Sequence, residues 1–238
     1  MYILQKNEKI SSFTDMPVSL ERKYGEEKII KKVIPVKQNE KNHIYTILNA
    51  VPFSSQAPSA QWSDPIYQDG CEEAVMIMAM AWVSGRSSLS KEFVEREIKK
   101  LTDFEIQQKN FGLDVSSEGV VDMLREYFHI KSANIVYDVQ AEDIVNAIYD
   151  QNIVIVPVDG TKLKNPHFTL LGPEKHMILI VGYDPEKKEF ITHDPGTRSG
   201  KEYRYPEQIL FQSIRNYPSG YHLPNLGVKK VMIVVGKV

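Results

Sequence analysis

The sequence predicts an α+β domain in which a buried helix packs on an antiparallel sheet, and three observations carry that expectation. Residues 74–83 (AVMIMAMAWV) are apolar on every side, which is the pattern of a helix enclosed by a core rather than lying on a surface. The second half of the chain holds three β patterns, MILIVGYD, EFITHD and KKVMIVVG. The short polar turn DPEKK joins the first two, and so short a connection demands antiparallel pairing. Helices first and antiparallel strands after make an α+β arrangement.

Residues 1–45 are charged and contain two short strand-like runs, Tyr2 to Leu4 and Ile29 to Val36. They read as an extended N-terminal segment of unassigned role ahead of a domain spanning 46–238. The segment TILNAVPFSSQAP is a β-prone run entering a loop that continues to Gly70. A helix over Glu72 to Val83 follows, with Gly85 placed to end it. Ser90 precedes a surface helix whose Phe93, Val94, Ile98 and Leu101 share one face, with Glu92 in its first turn. Another helix starts near Ser116 or Ser117, turns Val120, Val121, Leu124 and Phe128 inward and frays near His129. A helix over Ala141 to Tyr149 lies between strands at Ile135 to Val139 and Ile153 to Val158. The run DGTKLKNPHFTLLGPEK (159–175) is a long loop, and long loops in compact domains often border functional clefts. A helix is expected over Tyr205 to Tyr217, before the last strand.

Composition narrows the function classes. Hydrophobic residues make up 42% and charged residues 25%, the balance of an ordinary globular protein. With 29 Lys and Arg against 31 Asp and Glu, no global field favours nucleic acid or anionic membrane. The longest apolar run, Ala74 to Val83, is well short of the roughly 20 residues that cross a bilayer. The first thirty residues show no apolar block followed by a small-residue cleavage site, so the expected location is the cytoplasm. A single cysteine, Cys71, excludes an internal disulfide and a multi-cysteine zinc site and leaves open a catalytic thiol. No cofactor and no metal are expected.

Cys71 follows a Gly turn and opens the buried helix, where the positive end of the helix dipole favours thiolate, the reactive form. Glu72 and Glu73 oppose that unless they turn away, so an imidazolium is needed nearby. Of the six histidines, most read as surface or loop residues. His176 differs because it starts the strand HMILIVGYD, which returns through DPEKK into EFITHDPG. If Tyr183 pairs with Glu189, Ile178 lies opposite Asp194, and His176 and Asp194 become diagonal neighbours on one face. A slip of one residue would separate them onto opposite faces.

These features together resemble the papain-like cysteine peptidases of the C39-like type, relatives of the domain that cleaves bacteriocin leader peptides. The resemblance rests on residues 49–79, 163–184 and 190–206. It implies the papain-like fold, a Cys71–His176 pair oriented by Asp194, an acyl-enzyme route and a peptide or protein substrate. It also implies a glutamine upstream of the cysteine that stabilises the oxyanion. Gln56, Gln61 and Gln68 all precede Cys71, and Gln56, after the VPF run, matches the family position. Two rival readings share these residues: a peptide-binding protein that has lost turnover, and another thiol amidase or acyltransferase.

Overall fold

The structure is a computed structural model that describes residues 45–238 apart from 110–112, 170, 221, 225, 226, 228 and 238. The strand-like runs expected at Tyr2 to Leu4 and Ile29 to Val36 lie outside the described residues. Those described belong to one unit, residues 42–238. In chain order its elements are β1 (Ile47–Leu48), α1 (Pro65–Gln68), α2 (Cys71–Val83), α3 (Lys91–Phe104) running into a π turn (Glu105–Lys109), α4 (Ser117–Glu126), β2 (Asn134–Tyr137) and α5 (Ala141–Tyr149). There follow β3 (Ile153–Val158), β4 (His176–Asp184), β5 (Glu189–His193), β6 (Tyr203–Pro206), α6 (Glu207–Ser213) and β7 (Val231–Val235). No helix among the described residues is long and apolar enough to cross a membrane.

Local chemistry sets the helix boundaries. A side chain at Gly70 would meet the Ile66 carbonyl oxygen at 2.7 Å, so the sharp turn from α1 into α2 requires a residue without Cβ. At the other end of α2, Gly85 takes φ +71°, its N–H donates to the Trp82 carbonyl and the Arg86 N–H donates to that of Ala81. This is the Schellman closure, which satisfies carbonyls that a helix end leaves over. Ser90 and Ser116 cap α3 and α4 by accepting from the N–H groups of Phe93 and Gly119, as the sequence predicts.

The strands form one antiparallel sheet in the order β2-β7-β3-β4-β5-β6, with β1 beside β4. One face carries Ile153, Ile155, Met177, Leu179 and Ile233 and packs with α2, α3 and α4. The other carries Val154, Val156, Ile178, Ile180 and Phe190 and packs with α5 and α6. Antiparallel strands with one wet face alternate in polarity. Here both faces are covered, so β3 and β4 are buried along their whole length, and β3 and the stretch Met177 to Val181 of β4 read as unbroken apolar runs. Helix α2 lies inside this packing, with Val75, Met76, Ile77 and Met78 fully buried. Each such side chain contributes roughly 1.5–3 kcal/mol by leaving water.

Two expected elements differ. The helix expected over 205–217 is instead β6 followed by the short α6, because Pro206 takes an extended conformation (φ −52°, ψ 134°) and Tyr205 is drawn into the core. Tertiary contact outranks helical periodicity there. The run after Tyr45 pairs over only two residues before the Asn49 N–H reaches the Val181 carbonyl at 2.7 Å and the Val51 N–H turns back to Asn49.

The β4–β5 hairpin starts one residue away from the expected register. Asp184 rather than Tyr183 faces Glu189, and Gly182 faces Ile191. The ladder then shifts between Gly182 and Ile180, so that Thr192 faces Ile180 and His193 faces Leu179. Val181 is the extra residue of this β-bulge. Beyond it the expected register is restored, and its continuation brings Ile178 opposite Asp194.

Two further carboxyls lie buried behind α2. Burial and the neighbouring Glu73 and Glu72 charges push Glu105 up to about 12. Burial and the Glu72 charge raise Glu73 to about 8. Glu105 therefore stays protonated, and its two buried oxygens have no hydrogen-bond partner among the described residues. A carboxyl whose folded pKa is raised binds more protons folded than unfolded, so stability falls as pH rises above the ordinary glutamate range, by up to about 1.4 kcal/mol per pH unit per proton. Glu105→Gln is expected to leave the urea midpoint unchanged at pH 4 and to raise it at pH 8. Denaturation curves at the two pH values check this, and equal midpoints of wild type and variant at pH 8 would contradict it.

Candidate active site

His176 and Asp194 are brought together. His176 opens β4 and Asp194 follows β5, and both are buried. The imidazole Nε2 lies 2.8 Å from Asp194 Oδ1. The same carboxylate accepts from the Gly196 N–H (3.0 Å), the Tyr205 hydroxyl (2.6 Å) and Asn165 Nδ2 (3.3 Å). Burial opposes its charge, but the His176 charge and the hydrogen bonds from His176, Tyr205 and Gly196 outweigh burial and hold the carboxyl below its usual range. An ionised Asp194 accepts Nε2–H, which leaves Nδ1 as the nitrogen able to take a proton. Phe168 packs edge-on against the imidazole, ring centroids 5.5 Å apart. The long loop 159–175 thus reaches the site through Asn165 and Phe168.

Cys71 is the first residue of α2 and is buried. Its thiol donates to Glu72 Oε2 at 2.9 Å, so Glu72 does not turn away. Among the described residues the thiol's partner is Glu72 and not His176. Burial, then the charge and hydrogen bond of Glu72, then the charge of Glu73 push the thiol well above its ordinary range. The Met177 backbone N–H works the other way. That N–H belongs to the residue after His176, so the thiol lies against the start of β4.

Gln56 is buried, whereas Gln68 is exposed. Gln56 Nε2 donates to the Gln68 carbonyl at 2.6 Å and its backbone N–H to the Pro195 carbonyl at 3.0 Å. It therefore ties the turn before Cys71 to the turn after Asp194. An amide nitrogen carries two hydrogens, so one donor remains beyond that used by Gln68.

The family model of the Peptidase_C39 like family matches residues 48–219. The chain belongs to the Peptidase_C39 like family. A crystal structure from Bacillus anthracis, provisionally named a C39-like peptidase, is similar with a TM-score of 0.51 and 14% identity, over 81% of this chain and 98% of that one. At that identity the likeness speaks for the fold, and it agrees with the α+β papain-like arrangement that the sequence predicts. No curated protein sequence matches the chain. Family and fold together point to a cysteine peptidase.

Several residues at this C39-like site are not legible as such in the sequence. Asn165 and Tyr205, bonded to each other at 2.7 Å, meet Asp194 from separate segments, and only the short alternation YRYP hints that Tyr205 could be in a strand. Tyr217 donates to Glu72 Oε1 at 2.7 Å from the stretch expected to be helical. His193, which the sequence does not single out among the six histidines, is buried, with Nε2 2.8 Å from the Val51 carbonyl and Nδ1 accepting from the Glu202 N–H. Burial holds its pKa below the usual histidine value, so this neutral histidine beside Asp194 serves as a strut for the Val51 loop.

Proposed function

We propose that the chain is a cysteine peptidase that hydrolyses peptide bonds through Cys71, His176 and Asp194. The observation that carries the reading is the buried 2.8 Å contact of His176 with Asp194 at the start of β4, the strand that packs on the helix opened by Cys71. In the reaction Cys71 gives its proton to His176 Nδ1, and the thiolate attacks the peptide carbonyl carbon. The tetrahedral oxyanion accepts from the Cys71 N–H, one of the unpaired donors of a helix start, and from the second hydrogen of Gln56 Nε2. The imidazolium then protonates the departing amine and leaves a thioester. Water, giving its proton to His176, attacks the thioester, and the acid departs as Cys71 is restored. Asp194 keeps Nε2–H in place and stabilises the imidazolium without taking the proton.

A diverse peptide library incubated with wild type and with Cys71→Ala tests this. Cleavage by wild type alone is expected. Cleavage by both would implicate another enzyme, and cleavage by neither favours a binding protein on the same fold. Gln56→Ala is expected to lower turnover by about 2.7–4 kcal/mol of transition-state stabilisation, on the order of a hundred- to a thousandfold. The exposed Gln68→Ala should leave turnover nearly unchanged. Steady-state rates on one cleaved peptide decide between the two glutamines.

A further inference from the structure

The reaction just described needs the thiol proton to reach His176, yet the thiol points elsewhere. Glu72 Oε2 accepts it at 2.9 Å, while Oε1 accepts from the Tyr217 hydroxyl at 2.7 Å and faces the Val115 N–H at 3.4 Å. Glu72, Cys71 and Tyr217 are all buried. The carboxylate is thus gripped from behind and cannot swing out to solvent without abandoning buried donors, a costly loss. We propose that Glu72 is a positioning residue that parks the resting Cys71 as an un-ionised thiol and sets the pH at which it becomes a nucleophile. The proposal rests on Cys71 being the reactive residue. Its consequence is a resting enzyme shielded from alkylating agents and oxidants, which attack thiolates.

The other charged and titratable groups around the pair are few. Glu73 lies on the same helix, and the buried Glu105 of the π turn stands near both glutamates. From the segment before α4 comes Asp114, ion-paired with Lys175 at 2.8 Å. Asp69 stands in the turn before α2, and His222 approaches Asp114 from the stretch after α6. From β4 the Met177 N–H acts on the thiol, and His176 is the residue before it. Among these the Glu72 oxygen is the group in hydrogen-bond contact with sulfur, and a carboxylate there penalises thiolate while rewarding S–H. Amide in its place removes the negative charge and offers an N–H to the thiolate. Removing the Tyr217 hydroxyl does the reverse, because a carboxylate that loses one donor becomes a stronger acceptor for the thiol.

The rate of Cys71 alkylation by iodoacetamide, followed against pH on the full chain, reads the effect without any peptide substrate. Glu72→Gln is expected to move the midpoint of the profile down by at least one pH unit, which is about tenfold faster alkylation at pH 7. Tyr217→Phe should move it upward. Glu73→Gln, which removes a charge but no hydrogen bond to the sulfur, should move it down by less than Glu72→Gln does, whereas a general loosening of α2 would move both alike. A Glu72→Gln profile unmoved or displaced upward overturns the proposal. If that variant fails to fold, Tyr217→Phe decides alone, and a profile unmoved or displaced downward overturns it. A chain that cleaves no peptide but shows these shifts would refute the peptidase reading and keep this one.

Discussion

Replacing Cys71 with alanine is expected to end peptide hydrolysis in a chain that still folds. The loss expected for a covalent nucleophile is on the order of a millionfold in turnover, whereas the cost in stability of trimming one buried sulfur is about 1 kcal/mol. The two measurements, steady-state cleavage and the urea midpoint, therefore separate by many orders. The double change Cys71→Ala with His176→Ala is expected to be scarcely worse than Cys71→Ala, since without sulfur the imidazole has no proton to take. Losses that simply added would mark two independent binding residues and defeat the triad reading.

Asp194 carries the second large effect, and it acts on rate and stability together. Asp194→Ala removes a buried anion and leaves Gly196, Tyr205, Asn165 and His176 without their acceptor. The expected destabilisation is about 3–5 kcal/mol, as for breaking a buried ion pair. Asp194→Asn keeps the shape but aims an N–H at Nε2, which forces the wrong imidazole tautomer, and a loss of order ten thousandfold in turnover is expected. Because the folded carboxyl titrates below its ordinary range, its contribution is fully present above the ordinary aspartate pKa and is lost as pH falls through the folded value. The wild-type urea midpoint should therefore fall below about pH 4 by an amount that Asp194→Asn lacks. An asparagine variant with wild-type turnover would show that His176 does not need this carboxylate.

Much of the scaffold was legible because burial leaves strong signals. Residues 74–83 are apolar all round and form most of α2, and the caps at Ser90 and Ser116 are local chemistry written in the sequence. The register of β4 on β5 was legible only near the site. Its error at the turn is cancelled by the bulge at Val181, and no pattern announces a bulge in a strand buried on both faces, where either orientation of a valine meets apolar neighbours. Asn165 and Tyr205 could not be found because their link to Asp194 is made between segments far apart in the chain. The charges beside Cys71 were visible, but whether Glu72 turned toward the thiol depended on Tyr217, a residue at the other end of the sequence.

The same bulge has a consequence for mutational scanning. The Val181 carbonyl takes the Asn49 N–H, and Gly182 lies against the Ile47 carbonyl so closely that any side chain would collide with it. From there the chain runs through Val51 to Gln56. The kink at 181–182 thus sets the alignment of His176 with Asp194 on one side and the approach of Gln56 on the other. Loss-of-function hits should cluster at Gly182 and Val181 even though neither is among the residues that contact the reacting groups. A saturation screen would therefore find a patch of intolerance there, one that a map of site contacts would leave blank.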